Sequence, residues 1–143
     1  MKITLVRHGE TDNNKKNIMQ GLSNELMNDR GRRQCKKLRN ELKDKPFDIC
    51  YMSPLVRCVK TAMILVGDRV PIVKDRRLIE RDIGEFEGKE RGPYDINKYW
   101  DYELNSNDQG VEPIQDIEKR VRSFLDYISK KKEKDIYELV NNI

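Results

Sequence analysis

Apolar residues along the chain occur either in short β-branched runs or in stripes spaced three and four residues apart. Residues 3–6 form the first short run, and its continuous apolar character predicts a strand from a parallel sheet that is covered on both faces. Residues 47–52, which follow the helix-breaking Pro46, predict a second strand. Residues 71–73 predict a short third strand.

Three helices are predicted from capping residues and apolar stripes. The first begins after Asn28, a favourable N-cap. The second has Ser53 as its N-cap and Pro54 at its first helical position, and it ends at Gly67. The apolar stripes are Cys35, Leu38 and Leu42 in the first helix and Ile117, Val121, Phe124, Leu125 and Ile128 in the third.

The alternation of strands and helices predicts one α/β domain over residues 1–143, a three-layer sandwich with a mainly parallel sheet. Residues 11–26 are polar and rich in Asn, and they predict a loop over the mouth of a site. Residues 90–110 are polar with embedded aromatic side chains. We expect a short helix around residues 96–104 that packs its aromatic residues on the domain.

Composition excludes several classes of protein. No apolar run approaches the length of a membrane span, and the N-terminus lacks the pattern of a signal peptide, so no membrane partner and a cytoplasmic location are expected. The formal charge of +4 suits small anionic substrates and is too weak to indicate nucleic-acid binding. Cys35, Cys50 and Cys58 are odd in number and not closely paired, which favours reduced thiols over a disulfide framework or a zinc site.

The first predicted strand ends in Arg7, His8 and Gly9, and His8 is the only histidine of the chain. Ligands bind at the carboxyl ends of strands in open α/β sheets. The Arg7 guanidinium matches phosphate oxygens, and a neutral imidazole can act as a nucleophile. A histidine in this position can equally be an ordinary polar surface residue.

Two further charged positions are candidates for chemistry. Arg57 lies in the first turn of the second predicted helix, where the helix N-terminus already favours anions. Glu80 opens a stretch with four carboxylates in residues 80–87, which lacks the spacing of a calcium loop. An exposed helix arginine and a solvated acidic turn are the alternative interpretations of these two positions.

The motif Arg7-His8-Gly9-Glu10-Thr11 resembles the signature of the histidine phosphatase superfamily, the phosphoglycerate-mutase-like enzymes. The Ser-Pro dipeptide followed by Arg57 is similar to the segment that carries the second phosphate-binding arginine of this family, and Glu80 is similar to its proton donor. The resemblance therefore implies phosphomonoester hydrolysis through a phosphohistidine on His8, with Arg7 and Arg57 on the phosphoryl oxygens. It implies no metal and no cofactor.

The resemblance also implies roles for residues around this centre. Asn14 corresponds to a phosphate-side asparagine, Gln20 and Gly21 to the phosphate-side loop, and Glu112 to a further glutamate near the pocket. Residues 90–110 correspond to the segment that covers the site and helps to choose the substrate. The expected partner is a small phosphorylated metabolite, and the oligomeric state stays open, with a dimer as one possibility.

The C-terminal segment departs from the family pattern. In the family the next element is a strand that ends in a second histidine, whereas this chain has one histidine and is expected to lack the C-terminal strands. As a strand, the tail would put Asn141 near that position but would point Glu138 into a covered sheet. As a helix, it would place the stripe Ile136, Leu139, Val140 and Ile143 on one face, and this alternative is favoured.

These observations leave two classes of function open. The first is a phosphatase with reduced activity, and the second is a degenerate phosphate-binding protein without useful turnover. A phosphoglycerate-type mutase is less favoured because residues 90–110 provide only a short lid.

Overall fold

A four-stranded parallel sheet forms the middle layer of the protein. The structure is a computed structural model that describes residues 1–92 and 94–131 together with the backbone of residues 135–140. The strands are β1 (Lys2–Arg7), β2 (Ile49–Met52), β3 (Ile72–Lys74) and β4 (Asp135–Val140). Their order in the sheet is β1-β4-β2-β3, and each neighbouring pair is parallel.

Helices cover the two faces of this sheet. They are α1 (Asp12–Lys15), α2 (Asp29–Leu42), α3 (Val56–Leu65) and α4 (Ile114–Ser129). Alternate residues of β2 serve two cores, because successive side chains of a strand point to opposite faces. Cys50 and Met52 pack with α2 and α3, whereas Tyr51 packs against Phe124 of α4. The three-layer α/β architecture is therefore confirmed.

The helix boundaries follow local chemistry, with one shift from the prediction. Asn28 caps α2 as expected, since its side chain accepts from the Gly31 N–H at 2.9 Å. The second helix, however, begins at Val56 with Leu55 as its N-cap, so the prediction of Ser53 as the cap is wrong. The Ser53 hydroxyl instead accepts from the Leu55 N–H in a turn before the helix, and Leu55 keeps an extended backbone (ψ 138°), so helical geometry starts only at Val56.

The helix favoured for the tail is also wrong over residues 135–140. These residues form β4, which lies between β1 and β2 and pairs with both. A strand with partners on both sides satisfies its backbone N–H and C=O groups in the sheet, and this outweighs a helical stripe of marginal length. One C-terminal strand is therefore present. Residues 141–143, and with them Asn141, lie outside the described residues.

β1 differs from the fully covered strand that its sequence predicts. Val6 is buried in the core with α2 and α3, but the Leu5 side chain is 66% exposed. Within the described residues β1 pairs with β4 alone, so it is an edge strand here. A continuous apolar run specifies a strand without specifying that neighbours cover both of its faces.

Irregular structure connects β3 to α4. It contains 3-10 turns at Arg76–Leu78, Gly84–Phe86, Asn97–Trp100 and Asp108–Gly110, so the helix expected over residues 96–104 reduces to a single turn. Tyr99 is buried with Phe86, whereas the Trp100 side chain is 53% exposed. In the part of the chain that the structure describes, no helix has the length and apolar character of a membrane span.

Candidate active site

A cavity of about 170 Å³ opens at the carboxyl end of β1. It brings together Arg7, the last residue of β1, His8, which follows it, and Asn14 from α1. Glu10 and Gln34 complete its lining. Three of the predicted site residues therefore share one small polar cavity.

His8 is held in a defined orientation. Its side chain is buried, and its Nδ1 lies 2.8 Å from the carbonyl oxygen of Gly9. A carbonyl only accepts, so Nδ1 carries the proton and Nε2 keeps its lone pair. Burial is the main cause that lowers the pKa of His8 to about 4; the Gly9 carbonyl opposes this shift, and the positive charges of Arg57 and Arg7 add to it. The imidazole is thus neutral at physiological pH.

Gly9 is required by close packing. A Cβ atom on Gly9 would lie 2.5 Å from the Met27 sulfur and 2.7 Å from the carbonyl oxygen of Gly31, in the first turn of α2. Neither contact is sterically possible, because the Gly31 oxygen belongs to the helix backbone. The glycine after the histidine therefore lets the first turn of α2 pack directly against the backbone beside His8.

Arg57 is the largest fully buried side chain of the described residues. Its Nη1 donates to the Ser23 carbonyl at 2.7 Å, and its Nη2 donates to the Gly21 carbonyl at 2.9 Å. Burial lowers its pKa, while Glu80 and other acidic groups oppose this effect. Arg57 therefore anchors the loop of residues 21–23 and contributes positive charge near His8, although it does not line the 170 Å³ cavity.

The loop before α2 is fixed by a second set of bonds. The Glu87 carboxylate accepts from the Gly21 N–H at 3.0 Å and from the Leu22 N–H at 2.9 Å. Gln20 Oε1 accepts from the Thr11 hydroxyl at 2.8 Å, and among the described residues its buried Nε2 has no hydrogen-bond partner. The Gln20 side chain therefore ties this loop to Thr11, the N-cap of α1.

Asn14 serves both the loop and the cavity. Its backbone N–H donates to the Thr11 hydroxyl and its Oδ1 accepts from the Thr11 N–H, each at 3.1 Å, which forms a reciprocal cap of α1. The cap uses the side-chain oxygen, so the group that Asn14 presents to the cavity is its Nδ2 amide.

Glu80 has the properties of a proton donor. Burial raises the pKa of its carboxyl to about 7, and the Arg81 N–H together with the charges of Arg57, Arg120 and Arg7 opposes this rise. The Arg81 N–H donates to Glu80 Oε1 at 3.0 Å. A carboxyl group with this pKa holds its proton in mildly acidic solution, as a general acid must.

Glu112 is tied to a partner that the sequence did not indicate. Its carboxylate accepts from Arg120 Nε at 2.8 Å and from Nη2 at 3.0 Å, and Arg120 Nη1 also donates to the Arg77 carbonyl at 2.7 Å. The Glu112 carbonyl accepts from Arg81 Nε at 2.8 Å. Glu112 therefore braces the segment next to Glu80, and its carboxylate is engaged in an ion pair.

Sequence reasoning missed several residues of this site. Thr61 lies one helical turn after Arg57, and that spacing was the available signal. Gln34 and Arg120 sit on helices whose sequence gives no indication of their contacts. Within the residues that the structure describes, no group of three or more His, Cys, Asp or Glu side chains is arranged to hold a metal ion.

Comparisons with known proteins agree with this geometry. The model of the histidine phosphatase superfamily (branch 1) matches residues 3–140. Phosphoserine phosphatase 1 of Hydrogenobacter thermophilus is 32% identical over 138 residues, which cover 92% of this chain and 65% of that protein. The chain thus spans about two thirds of the length of this relative.

Solved structures show the same fold. YhfR of Bacillus stearothermophilus superposes with a TM-score of 0.85 at 28% identity, over 98% of this chain and 73% of that one. The α-ribazole phosphatase of Shigella flexneri gives a TM-score of 0.82 at 25% identity, over 99% and 74% of the two chains. Together with the match over residues 3–140, these likenesses establish that the chain belongs to the histidine phosphatase superfamily.

Proposed function

We propose that this chain is a phosphatase that hydrolyses a small phosphomonoester through a phosphohistidine on His8. The observation that carries the proposal is the buried, neutral imidazole, whose Nδ1 is bound to the Gly9 carbonyl and whose Nε2 lone pair is therefore the nucleophile. The names of the relatives support the phosphatase class. The intermediate and the substrate class are our own inference.

In the first step, Nε2 of His8 attacks the phosphorus in line and the bond to the leaving oxygen breaks. Arg7 and Arg57 supply positive charge as the phosphoryl group passes between the two atoms, and positioning and charge carry most of the barrier reduction. Glu80 gives its proton to the departing alkoxide, for which its raised pKa suits it.

In the second step, water attacks the phosphohistidine and inorganic phosphate leaves. Glu80, now ionised, takes the proton of the attacking water, and His8 returns to its neutral state. Asn14 lines the cavity and supplies an amide donor to the phosphoryl oxygens, and Gln20 precedes Gly21 in the loop that Arg57 holds. Gly21 and Glu112 act indirectly, through Arg57 and Arg81 respectively.

Turnover by the 143-residue chain is proposed to be reduced. The family pattern uses a second histidine as a donor to the phosphoryl group, and His8 is the single histidine here. Removal of one preorganised donor costs about 10²–10³ in rate in other systems. The alternative function, a phosphate-binding protein without useful turnover, rests on the same observation.

An aryl phosphate assay separates these two functions. We expect slow hydrolysis, acid-labile phosphate on His8 after a rapid quench, and a large rate increase when the chain is extended by a family-like strand that ends in histidine. If the chain binds vanadate but does not hydrolyse the aryl phosphate, the phosphate-binding alternative is favoured. Equal rates for the native and extended chains would show that the second histidine is dispensable.

A further inference from the structure

Thr61 joins α3 to the residue that follows the nucleophile. Its side chain is completely buried. The hydroxyl oxygen accepts from the Gly9 N–H at 3.1 Å, and the hydroxyl donates to the carbonyl oxygen of Arg57 at 2.8 Å. One side chain thereby connects the His8 loop to the backbone of the proposed phosphate-binding arginine.

The hydrogen-bonding capacity of this hydroxyl is filled. A threonine hydroxyl has one donor and two acceptor sites. The donor goes to the Arg57 carbonyl, and the acceptors take the Gly9 N–H and the Cys35 thiol, whose sulfur lies 3.7 Å away. Met27 Sδ is in contact at 3.0 Å. Apolar replacement would leave the Gly9 N–H to find another acceptor in a closely packed corner.

The bond to Gly9 differs from ordinary threonine behaviour in helices. Threonine often donates to the carbonyl four residues earlier, as Thr61 does with Arg57, and this needs no functional explanation. The bond to Gly9, in contrast, spans 52 positions of sequence and reaches a loop. It fixes the peptide that joins His8 to Gly9.

The backbone of Gly9 links the bond from Thr61 to the orientation of the imidazole. The Gly9 N–H is bound by Thr61, and the Gly9 carbonyl accepts the His8 Nδ1–H at 2.8 Å. The two groups lie on successive peptide units that meet at the Gly9 Cα atom. Without the bond to Thr61 the Gly9 backbone could rotate and move its carbonyl away from Nδ1, so that either ring nitrogen could carry the proton. Only the form with the proton on Nδ1 presents a lone pair on Nε2.

We propose that Thr61 is a positioning residue, whose hydroxyl holds the His8–Gly9 peptide so that Nε2 of His8 stays free and directed at the cavity. The effect of Thr61 on turnover rests on the proposed function, whereas its effect on the tautomer of His8 does not. The charges that face His8 are those of Arg7 and Arg57. Conservative replacement of Thr61 leaves both charges in place.

Imidazole ¹⁵N spectra test the proposal directly, because the signals of the only histidine need no assignment. Thr61→Val removes the hydroxyl at nearly constant shape, and Thr61→Ser keeps it. We expect one tautomer, protonated on Nδ1, in the native chain and in Thr61→Ser. In Thr61→Val we expect a mixture of tautomers and a His8 pKa that falls further below 6.5, because the Gly9 carbonyl that raises this pKa is no longer held on Nδ1.

Kinetics provide the second measurement. Misplacement of a reacting group by about 1 Å costs about 10²-fold in rate, so Thr61→Val should lower kcat on an aryl phosphate by this order with little change in KM. Thr61→Ser should restore kcat. The matched control is Val66→Ala, which removes buried volume at the far end of α3 and should reduce stability without changing the tautomer or kcat.

Three outcomes would overturn the proposal. They are an unchanged tautomer in Thr61→Val, an equal loss in Thr61→Ser and Thr61→Val, and a comparable tautomer change in Val66→Ala. If Thr61→Val does not fold, hydrogen exchange of the Gly9 amide in the native chain decides, since the proposal requires it to be as protected as the amides of α3. If the native chain lacks turnover, the proposed function fails. The ¹⁵N spectra of the native chain and the two Thr61 variants still test whether Thr61 fixes the tautomer of His8.

Discussion

The backbone around His8, here called the His8 corner, and the segment around Glu80 are built in different ways. Hydrogen bonds between residues far apart in the sequence hold the His8 corner. The Thr61 hydroxyl accepts from the Gly9 N–H, and the Arg57 guanidinium donates to the Gly21 carbonyl. The Glu80 carboxyl accepts from the N–H of its own neighbour, Arg81. Long-range bonds therefore fix the backbone beside His8, whereas the Glu80 carboxyl bonds locally and Glu112 braces its segment through Arg81.

The same physical cause gives the two groups complementary properties. Burial disfavours the charged form of any ionisable group. It lowers the pKa of His8 to about 4 and raises the pKa of Glu80 to about 7. Between these values both groups are neutral, so one supplies a lone pair while the other supplies a proton. The following predictions test these different roles of His8 and Glu80, from the largest expected effect to the smallest.

His8→Ala should reduce turnover of an aryl phosphate to background, because the chain has no other histidine to carry the phosphoryl group. The measurement is steady-state hydrolysis together with acid-labile phosphate after rapid quench. Thermal unfolding serves as the control, since the substitution removes one buried ring and the variant must stay folded. Activity at the native level in a folded variant would eliminate the phosphohistidine mechanism.

Glu80→Gln should separate substrates by their leaving groups. It preserves shape but cannot give a proton, so hydrolysis of alkyl phosphates should fall by about 10²–10⁴-fold, whereas aryl phosphates should lose far less. Comparison of kcat on the two substrate types is the measurement. The matched control is Glu85→Gln, an exposed carboxyl of the same stretch. Equal losses on both substrate types would mean that Glu80 is not the acid.

Arg57→Lys should weaken vanadate binding and loosen the loop of residues 21–23. Lysine keeps the charge but cannot donate to the Ser23 and Gly21 carbonyls in the same fork geometry. Loss of a buried charge-assisted hydrogen bond typically costs roughly 1.5–3 kcal/mol, so a clear fall in affinity is expected by calorimetry. Arg69→Lys, on an exposed residue, is the control. Unchanged vanadate affinity would show that Arg57 does not support phosphate binding.

The pH dependence of kcat/KM should be bell-shaped. The rate should rise as His8 loses its proton near pH 4 and fall as Glu80 loses its proton near pH 7. Each limb should change by up to about tenfold per pH unit. Glu80→Gln should abolish the alkaline limb and leave the acid limb unchanged. Persistence of the alkaline limb in this variant would assign it to another group.

The free energy of unfolding should depend on pH in opposite directions for the pKa shifts of His8 and Glu80. The pKa of His8 is lower in the folded than in the unfolded chain, so its contribution is lost as pH falls from about 6.5 to 4. The pKa of Glu80 is raised on folding, so its contribution is present below about 4.5 and lost as pH rises through 7. The free energy of unfolding of Glu80→Gln, minus that of the native chain, should therefore increase between pH 4.5 and 7. A constant difference would contradict the raised pKa.

Much of the fold was predictable because local chemistry decides it. Asn28 caps α2, Gly67 follows α3 with positive φ, and the stripe of Ile117, Phe124 and Ile128 is buried in α4. These outcomes depend on side chains within a few positions of one another. The motif after the first strand likewise identified the family, and the family match confirms it.

The sequence by itself therefore determined the α/β class, most helix ends and the identity of the residues at the carboxyl end of β1. Only the tertiary structure decided that the tail forms a central strand, that Leu5 lies at an exposed edge, and that Thr61 holds the peptide after His8. The physical reason is the sequence separation over which each interaction acts. Periodicity and capping act over one or two turns, whereas strand neighbours, burial and the acceptor of a given N–H depend on residues that are 50 or more positions away.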